Sequence, residues 1–167
     1  GMFPAQIHDI KAAIRFLRGN ANSFGYNADK IGILGASSGG HLVAMMGVSN
    51  GHPLLEGSVG DYDNVSSDVH AVVSYYGASN LHSILRQSTP HGLSVRKPAL
   101  DLLIGGQPAD MAELATLASP VALVSPDSAP LLMMHGDQDP QMPINQSHEL
   151  HSAYKDHQIP VQFDVVH

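Results

Sequence analysis

Apolar residues recur at helical spacing near the beginning of the chain, at Ile7, Ile10, Ile14 and Leu17. Intervals of three and four residues place side chains on one face of an α-helix. The pattern therefore predicts an amphipathic helix over residues 4–18. The charged side chains of this segment fall largely between the apolar positions, which places them on the opposite face: Asp9, Lys11, Arg15 and Arg18.

Short apolar or β-prone runs follow, separated by segments that are long enough for helices. The first run ends in a glycine-rich turn, after which residues 42–46 are apolar on all sides and predict a largely buried helix. Pro143 favours the start of a further helix, which extends to about residue 157. The predicted strands are residues 30–36, 69–76, 131–134 and 161–166. This alternation predicts an α/β fold with three layers, in which a mostly parallel sheet is covered by helices on both faces.

Residues 80–129 interrupt the alternation. The segment contains several prolines, the pair Gly105-Gly106 and only short helical patches, such as residues 99–104 and 111–117. Irregular insertions between strands are typical of segments that face a substrate. We therefore expect a lid-like insertion over about residues 80–129, within one domain that comprises residues 1–167.

Composition excludes several classes of function. The 15 acidic and 8 basic residues give a net charge of −7, which disfavours binding to nucleic acids. No apolar run approaches the roughly 18 residues that cross a bilayer. The absence of cysteine excludes thiol nucleophiles, thiolate zinc sites and disulfide bonds. The sequence shows no secretory leader and does not assign a compartment.

The strongest local motif is Gly35-Ala-Ser37-Ser38-Gly39, which matches G-x-S-x-G between a predicted strand and a predicted helix. A serine on such a sharp turn lies in strained backbone, and glycine two positions before and after it allows the strand and helix to approach. The motif therefore predicts a nucleophile elbow. The alternatives are an ordinary glycine-rich turn or a phosphate-binding loop, although no G-K-[ST] follows and the Walker pattern fails.

Ser37 and Ser38 both lie on the predicted turn. Only Ser37 has glycine at both flanking positions, Gly35 and Gly39, so we expect Ser37 to be the nucleophile. The backbone N–H of Ser38 would then donate to the oxyanion of a tetrahedral intermediate, because the amide after the nucleophile points at that oxygen.

A second motif, His135-Gly-Asp137-Gln-Asp139-Pro, follows the third predicted strand. A carboxylate at this position can orient a catalytic histidine. Asp also commonly caps loops and helices, which is the alternative role for both acidic residues. We assign the orienting role to Asp139.

Two further clusters are candidate metal sites. His148 and His151 are three residues apart on a predicted helix, whereas the zinc motif H-E-x-x-H requires a spacing of four. The loop that contains Asp61 and Asp63 lacks the glycine and the final glutamate of a calcium-binding loop. We therefore expect neither a metal site nor a cofactor.

The chain resembles the α/β-hydrolase superfamily, and within it the esterase/lipase group that includes acetyl-xylan esterases, feruloyl-type esterases and hormone-sensitive-lipase-like enzymes. The resemblance covers nearly the whole chain, in segments 3–18, 30–42, 72–77, 119–121 and 135–143. It implies the C-terminal half of an α/β-hydrolase fold and a serine carboxylesterase that acts on small-molecule esters through an acyl-enzyme. Aligned with that pattern, Ser37 is the nucleophile and Asp139 the acid.

The sequence departs from the pattern of this group in two places. Nothing before Gly35 resembles the upstream H-G-G-G-like segment that donates the second oxyanion N–H. The sequence also stops at His167, about where the loop with the catalytic histidine would begin. We therefore expect a chain that is truncated at both ends, in which His167 is not the base and ester hydrolysis is nearly absent.

Two alternative functions and one structural consequence follow from these observations. The chain could be a serine peptidase of the prolyl-oligopeptidase type, or a non-catalytic binding protein derived from a hydrolase. The predicted strand at residues 30–36, central in the family's sheet, would lie at an edge with unpaired backbone groups. We therefore expect a homo-oligomer that pairs along this edge.

Overall fold

The computed structural model describes residues 1–167, which form nine helices and four strands. The helices are α1 (Ala5–Gly19), α2 (Ala21–Phe24), α3 (Ser38–Val48), α4 (Pro53–Glu56), α5 (Ile84–Gln87), α6 (Pro90–Ile104), α7 (Ala112–Leu117), α8 (Pro120–Leu123) and α9 (Asn145–Asp156). The strands are β1 (Gly32–Ala36), β2 (Ala71–Tyr75), β3 (Leu131–Gly136) and β4 (Val161–Val166). No helix combines the length and the apolar character needed to cross a bilayer.

The four strands form one parallel sheet in the order β1-β2-β3-β4. Each strand is therefore followed along the chain by its neighbour in the sheet, and the carboxyl ends of all four lie at the same edge. This confirms the predicted α/β fold and parallel sheet. β1 lies at one side of the sheet and pairs only with β2.

The helices that pack directly on the sheet cover one of its faces. α3 contacts β1 and β2, and α9 contacts β4. Ser74 hydrogen-bonds to α3 and His135 to α9, and the strand register places these two side chains on the same face. On the opposite face Leu34 is 72% exposed, and Val73 and Leu132 are partly exposed.

The prediction of helices on both faces is therefore not met by this chain, and the strand order explains why. Crossovers between parallel strands are almost always right-handed. Because the strand order never reverses direction, right-handed crossovers place every connecting helix on the same face. The alternation of strands and helices is correctly predicted from sequence, but it does not specify the strand order.

Helix α1 also differs from its prediction. Lys11 and Arg15, expected on the polar face, are fully buried. Lys11 Nζ donates to a carboxylate oxygen of Glu56 at 3.0 Å, and Arg15 Nη1 donates to the other at 3.0 Å. Leu17, expected on the apolar face, is 41% exposed. Since α4 packs on α1, the charged side of the helix is covered by the chain that follows it.

The segment 80–129 contains one long helix, α6, where only short helical patches were predicted. The Thr89 hydroxyl caps the helix by accepting from Gly92 N at 3.0 Å, and Pro90 occupies its first turn. Pro98 lies inside the helix without ending it. The predicted patch at 111–117 is confirmed as α7.

Candidate active site

The turn between β1 and α3 has the strained geometry that the sequence predicts. Ser37 has φ 55° and ψ −118°, in the region that residues with a side chain rarely adopt. Its backbone N–H donates to Tyr75 O at 3.0 Å, and its carbonyl accepts from His41 N at 3.0 Å. The Ser37 residue is exposed, so the turn presents the side chain instead of packing it.

The glycines that this turn requires are not all the predicted ones. A Cβ at Gly35 would lie 2.4 Å from Gly39 O, so the glycine before the serine is required. A Cβ at Gly39 would meet nothing within 4 Å, so the prediction for this residue is wrong. Gly40 is the second tight position, because its Cβ would lie 2.6 Å from Tyr75 O. The approach of α3 to β2 thus depends on Gly40.

Ser38 is the first residue of α3 and is exposed like Ser37. The first N–H groups of a helix have no partner inside the helix and carry the positive end of its dipole. In an eleven-residue helix these groups can stabilise negative charge that develops next to Ser37.

The turn after β3 presents the Asp139 carboxylate at the same end of the sheet. Its Oδ1 accepts from Gln141 N at 2.8 Å and from Met142 N at 2.9 Å. Its Oδ2 lies 3.6 Å from Nε2 of His135. Oδ1 therefore caps the loop, which is the alternative role that the sequence allows for this aspartate, whereas Oδ2 accepts from no backbone N–H.

His135, for which the sequence motifs predict no role, is buried beneath this turn. Its Nδ1 lies 2.7 Å from Ser147 Oγ, and its Nε2 lies 3.0 Å from Met142 O. Since a carbonyl only accepts, Nε2 carries the proton and Nδ1 accepts from the serine hydroxyl. Burial lowers the pKa of His135, which favours this neutral form.

His167 and Asp137 form a separate pair. His167 Nδ1 lies 2.9 Å from Asp137 Oδ2, and this hydrogen bond lowers the pKa of Asp137. His167 thus contacts Asp137 and not Asp139. No histidine in the chain forms a hydrogen bond with Ser37.

Ser37, Ser38 and Asp139 line one cavity of about 330 Å³. Nine of its fifteen lining residues are apolar, so the two motifs, which are 102 positions apart in sequence (139 − 37), meet at one mostly apolar cavity. A more open groove of about 910 Å³ lies along α7 and Leu54, but neither Ser37 nor Asp139 lines it.

The cavity also includes two residues that the sequence motifs did not assign to it. His41, on the first turn of α3, lines the cavity. Its Nε2 lies 2.8 Å from Ala118 O, and burial lowers its pKa. Arg96 enters the cavity wall from α6. Both positions depend on contacts between distant segments, which local motifs do not reveal.

The structure does not bring together a set of metal ligands at either candidate metal site. His148 and His151 flank the ring of Phe163, with centroid distances of 5.1 Å and 6.0 Å. Asp61 and Asp63 lie in a turn-rich stretch before β2 without a third ligand. No group of three or more side chains suited to holding a metal ion occurs in the chain.

Comparison with known proteins links this geometry to esterases. The BD-FAE family model matches residues 1–154. The chain is 29% identical over 160 residues to Esterase LipQ of Mycobacterium tuberculosis, and 30% identical over 149 residues to Esterase LipC of the same organism. These matches cover 92% and 87% of the chain, but only 35% of each relative. The chain thus spans about a third of the length of these curated relatives.

A solved structure described as a truncated form of a carbohydrate esterase from gut microbiota superposes with a TM-score of 0.89 at 35% identity. The superposition covers 99% of this chain and 61% of that one. A bifunctional GH43-CE protein of Bacteroides eggerthii gives a TM-score of 0.88 at 35% identity, with 22% of its length covered. The fold of this chain therefore also occurs in a protein described as a carbohydrate esterase.

Proposed function

Because the chain belongs to the BD-FAE family, we propose that it supplies the nucleophile, the acid and one oxyanion amide of a carboxylic ester hydrolase. The observation that carries the proposal is that Ser37, held at φ 55°, lines the same cavity as Asp139. The esterases LipQ and LipC, and the carbohydrate esterase with 35% identity, support the assignment to esters.

The proposed chemistry is two-step acyl transfer. Ser37 Oγ attacks the ester carbonyl and forms a tetrahedral intermediate whose oxyanion accepts from the N–H of Ser38. A histidine takes the serine proton and gives it to the leaving alcohol, while Asp139 holds that histidine in the required tautomer. In the second step the histidine takes a proton from water, which attacks the acyl-enzyme. The bond to Ser37 Oγ then breaks, the proton returns to Oγ, and the carboxylic acid of the substrate is released.

The substrate in this proposal is a small ester. The mostly apolar wall of the cavity fits the acyl chain or ring of such an ester. The structural neighbour described as a carbohydrate esterase supports an ester of a carbohydrate. No cofactor is required for this chemistry.

The base is the part of the machinery that the histidines of this chain do not provide. His41, His135 and His167 hydrogen-bond to Ala118, to Ser147 and Met142, and to Asp137, respectively. Without a base next to the hydroxyl, the serine is a weak nucleophile. We therefore expect slow ester hydrolysis by this chain, carried by the Ser37 hydroxyl acting without a base.

Hydrolysis of p-nitrophenyl acetate tests this proposal. We expect saturable turnover above the buffer rate but far below that of a typical enzyme, which is about 10 per second. Ser37→Ala should abolish the excess, whereas Ser38→Ala should retain it because the backbone amide remains. A rate equal to buffer would instead support a non-catalytic binding protein. A typical enzymatic rate that requires Ser37 would contradict the expectation about the base.

We also propose that the chain forms a homo-oligomer through the free edge of β1. The edge has unpaired backbone groups, and Leu34 on β1 is 72% exposed. Bare strand edges and exposed apolar side chains promote association. Light scattering after size exclusion should give at least a dimer mass that Leu34→Lys shifts towards the monomer, and a monodisperse wild-type monomer would contradict the proposal.

A further inference from the structure

Arg96 is the only basic side chain, apart from the buried His41, in the wall of the Ser37 cavity. It is half-buried on α6, with the apolar residues Val95 and Ala99 next to it in the same wall. The mechanism proposed above uses none of the charge of Arg96. The question is what a guanidinium group does at this position.

The guanidinium uses few of its donors within the protein. Arg96 Nη2 donates to Gln141 O. Arg96 Nε is buried and has no hydrogen-bond partner. No carboxylate of the chain lies within salt-bridge distance of Arg96. Guanidinium groups present their N–H donors as a planar fork that matches a carboxylate.

The surroundings make an unpaired cation unfavourable here. Burial lowers the pKa of Arg96, and the nearby charge of Asp139 opposes this effect. The carboxylate of Asp139 does not pair with Arg96, since Oδ1 accepts two backbone N–H groups and neither oxygen lies within salt-bridge distance of the guanidinium. A half-buried charge whose donors are unused is stabilised when a ligand supplies the acceptors.

We propose that Arg96 is a specificity-determining residue that binds a carboxylate group on the ester substrate, next to the ester carbonyl at Ser37. The substrate is then an ester that carries an acidic group, located either in the acyl part, as in half-esters of dicarboxylic acids, or in the alcohol part, as in esters of hydroxy acids and uronic acids. That the bound carboxylate belongs to a substrate rests on the hydrolase function proposed above, whereas carboxylate binding by Arg96 does not.

A purely structural role for Arg96 makes a different prediction. α6 braces the turn that carries Asp139, since Thr89 Oγ1 donates to Pro140 O at 2.7 Å and Arg96 donates to Gln141 O. If bracing were the whole role, replacing Arg96 would change binding of charged and neutral ligands equally. A carboxylate site requires that the change affects only the charged ligand.

The experiment compares non-hydrolysable amides that differ only in charge. N-Methylsuccinamate carries its carboxylate on the acyl side and is compared with N-methylsuccinamide. N-Acetyl-β-alanine carries its carboxylate on the side that replaces the alcohol and is compared with N-acetyl-β-alaninamide. Dissociation constants of all four probes are measured by titration of backbone amide chemical shifts, with wild type, Arg96→Gln, Arg96→Lys and Lys97→Gln.

We expect at least one acid to bind wild type about tenfold more tightly than its own amide, the usual effect of a charge-assisted hydrogen bond. The pair that shows the preference identifies the side of the ester that carries the acidic group. Arg96→Gln should reduce the ratio to about one. Lys97→Gln makes the same charge change at an exposed neighbour outside the cavity and should retain the ratio.

Three outcomes would overturn the proposal: acids and amides that bind wild type equally or not at all, a preference that survives Arg96→Gln, or one that Lys97→Gln abolishes equally. If Arg96→Gln does not fold, as judged by circular dichroism, Arg96→Lys is the deciding variant. Lysine keeps the charge but lacks the planar fork, so the preference for the acid over its amide should fall several-fold. An unchanged preference would overturn the proposal. Loss of hydrolysis at Ser37 with an intact carboxylate preference would refute only the hydrolase function.

Discussion

Ser37 is held in its position by contacts on both sides of the turn. Its N–H is bonded to β2 through Tyr75 O, and its carbonyl begins the hydrogen-bonding of α3. A backbone conformation at φ 55° costs of order 1–3 kcal/mol for a residue with a side chain. These fixed neighbours maintain the strain, and the close approach of Gly35 and Gly40 to backbone atoms allows them to do so.

Substitutions of the turn glycines should separate required from permissive positions. Gly35→Ala places a Cβ 2.4 Å from Gly39 O and should lower the free energy of unfolding by about 3 kcal/mol or more. Gly39→Ala is the matched control, because its Cβ meets nothing and alanine favours helix, so we expect a change between zero and about 1 kcal/mol of stabilisation. Urea denaturation measures both, and equal effects would contradict the geometry of the turn.

The buried histidines should make stability depend on pH. Burial lowers the pKa values of His41 and His135 below 6.5. Below that pH the unfolded chain binds protons that the folded chain does not, so the free energy of unfolding falls as the pH decreases through this range. The corresponding contribution is fully present above pH 6.5.

Replacing one of these histidines tests the direction of this pH dependence of stability. Between about pH 7.5 and about pH 5, His135→Gln should lose less free energy of unfolding than wild type, because one proton-linked group is absent. His91→Gln, at an exposed position, should behave like wild type. A pH dependence that is the same in all three proteins would show that His135 is not buried in its neutral form.

Among single residues, the sequence predicts those whose role depends on neighbours in the chain. Gly35 and the strained Ser37 are visible in a five-residue motif. His41 and Arg96 are not, because each enters the cavity through packing between distant segments. The sequence shows His41 directly before an apolar helical segment, but it does not show that His41 or Arg96 faces the cavity.

At the scale of elements, the burial of charge on α1 is the clearest surprise. Lys11 and Arg15 lie one helical turn apart and share Glu56. Although burial alone would raise the pKa of Glu56, hydrogen bonds from Ser67, Lys11 and Arg15 hold it below its usual value. A helical pattern alone cannot predict this partner, because Glu56 lies 41 residues after Arg15.

Removing Glu56 should therefore destabilise the packing of α1. Glu56→Gln leaves two fully buried cations without their carboxylate. Loss of one partner of a buried ion pair costs about 3–5 kcal/mol, and because the Glu56 side chain is 36% exposed we expect about 2 kcal/mol after solvent screening. Glu113→Gln, at an exposed position of α7, is the control. Equal effects in urea denaturation would show that the ion pairs contribute nothing.

The helix α6 shows why element boundaries are hard to predict in an insertion. Its interior Pro98 lowers helical propensity, and the sequence pattern therefore indicated a helix only from about residue 99. Two contacts stabilise the turns of α6 that precede Pro98. Thr89 caps the helix, and Gly92 packs so closely against Gln141 that a Cβ there would lie 3.0 Å from Gln141 O. Because this helix carries Arg96 and braces the Asp139 turn, the missed boundary hid part of the site.

At the scale of the whole molecule, the sheet order explains both the site and the exposed face. Parallel strands in sequential order place the turns after β1 and β3 at the same edge, where Ser37 and Asp139 meet. The same order puts the crossover helices on one face and leaves Leu34 exposed on the other. The sequence predicted the α/β fold from its alternation, but the number of helix layers depends on strand order, which local patterns do not encode.

The central claim is that Ser37 is the reactive hydroxyl of an ester hydrolase site. Prolonged reaction with a fluorophosphonate, followed by peptide mapping with mass spectrometry, tests it most directly because each covalent adduct is assigned to one residue. We predict a phosphonyl adduct on Ser37 that forms slowly, disappears in Ser37→Ala and persists in Ser38→Ala. An adduct on Ser38, or a folded protein that remains unlabelled, would contradict the claim.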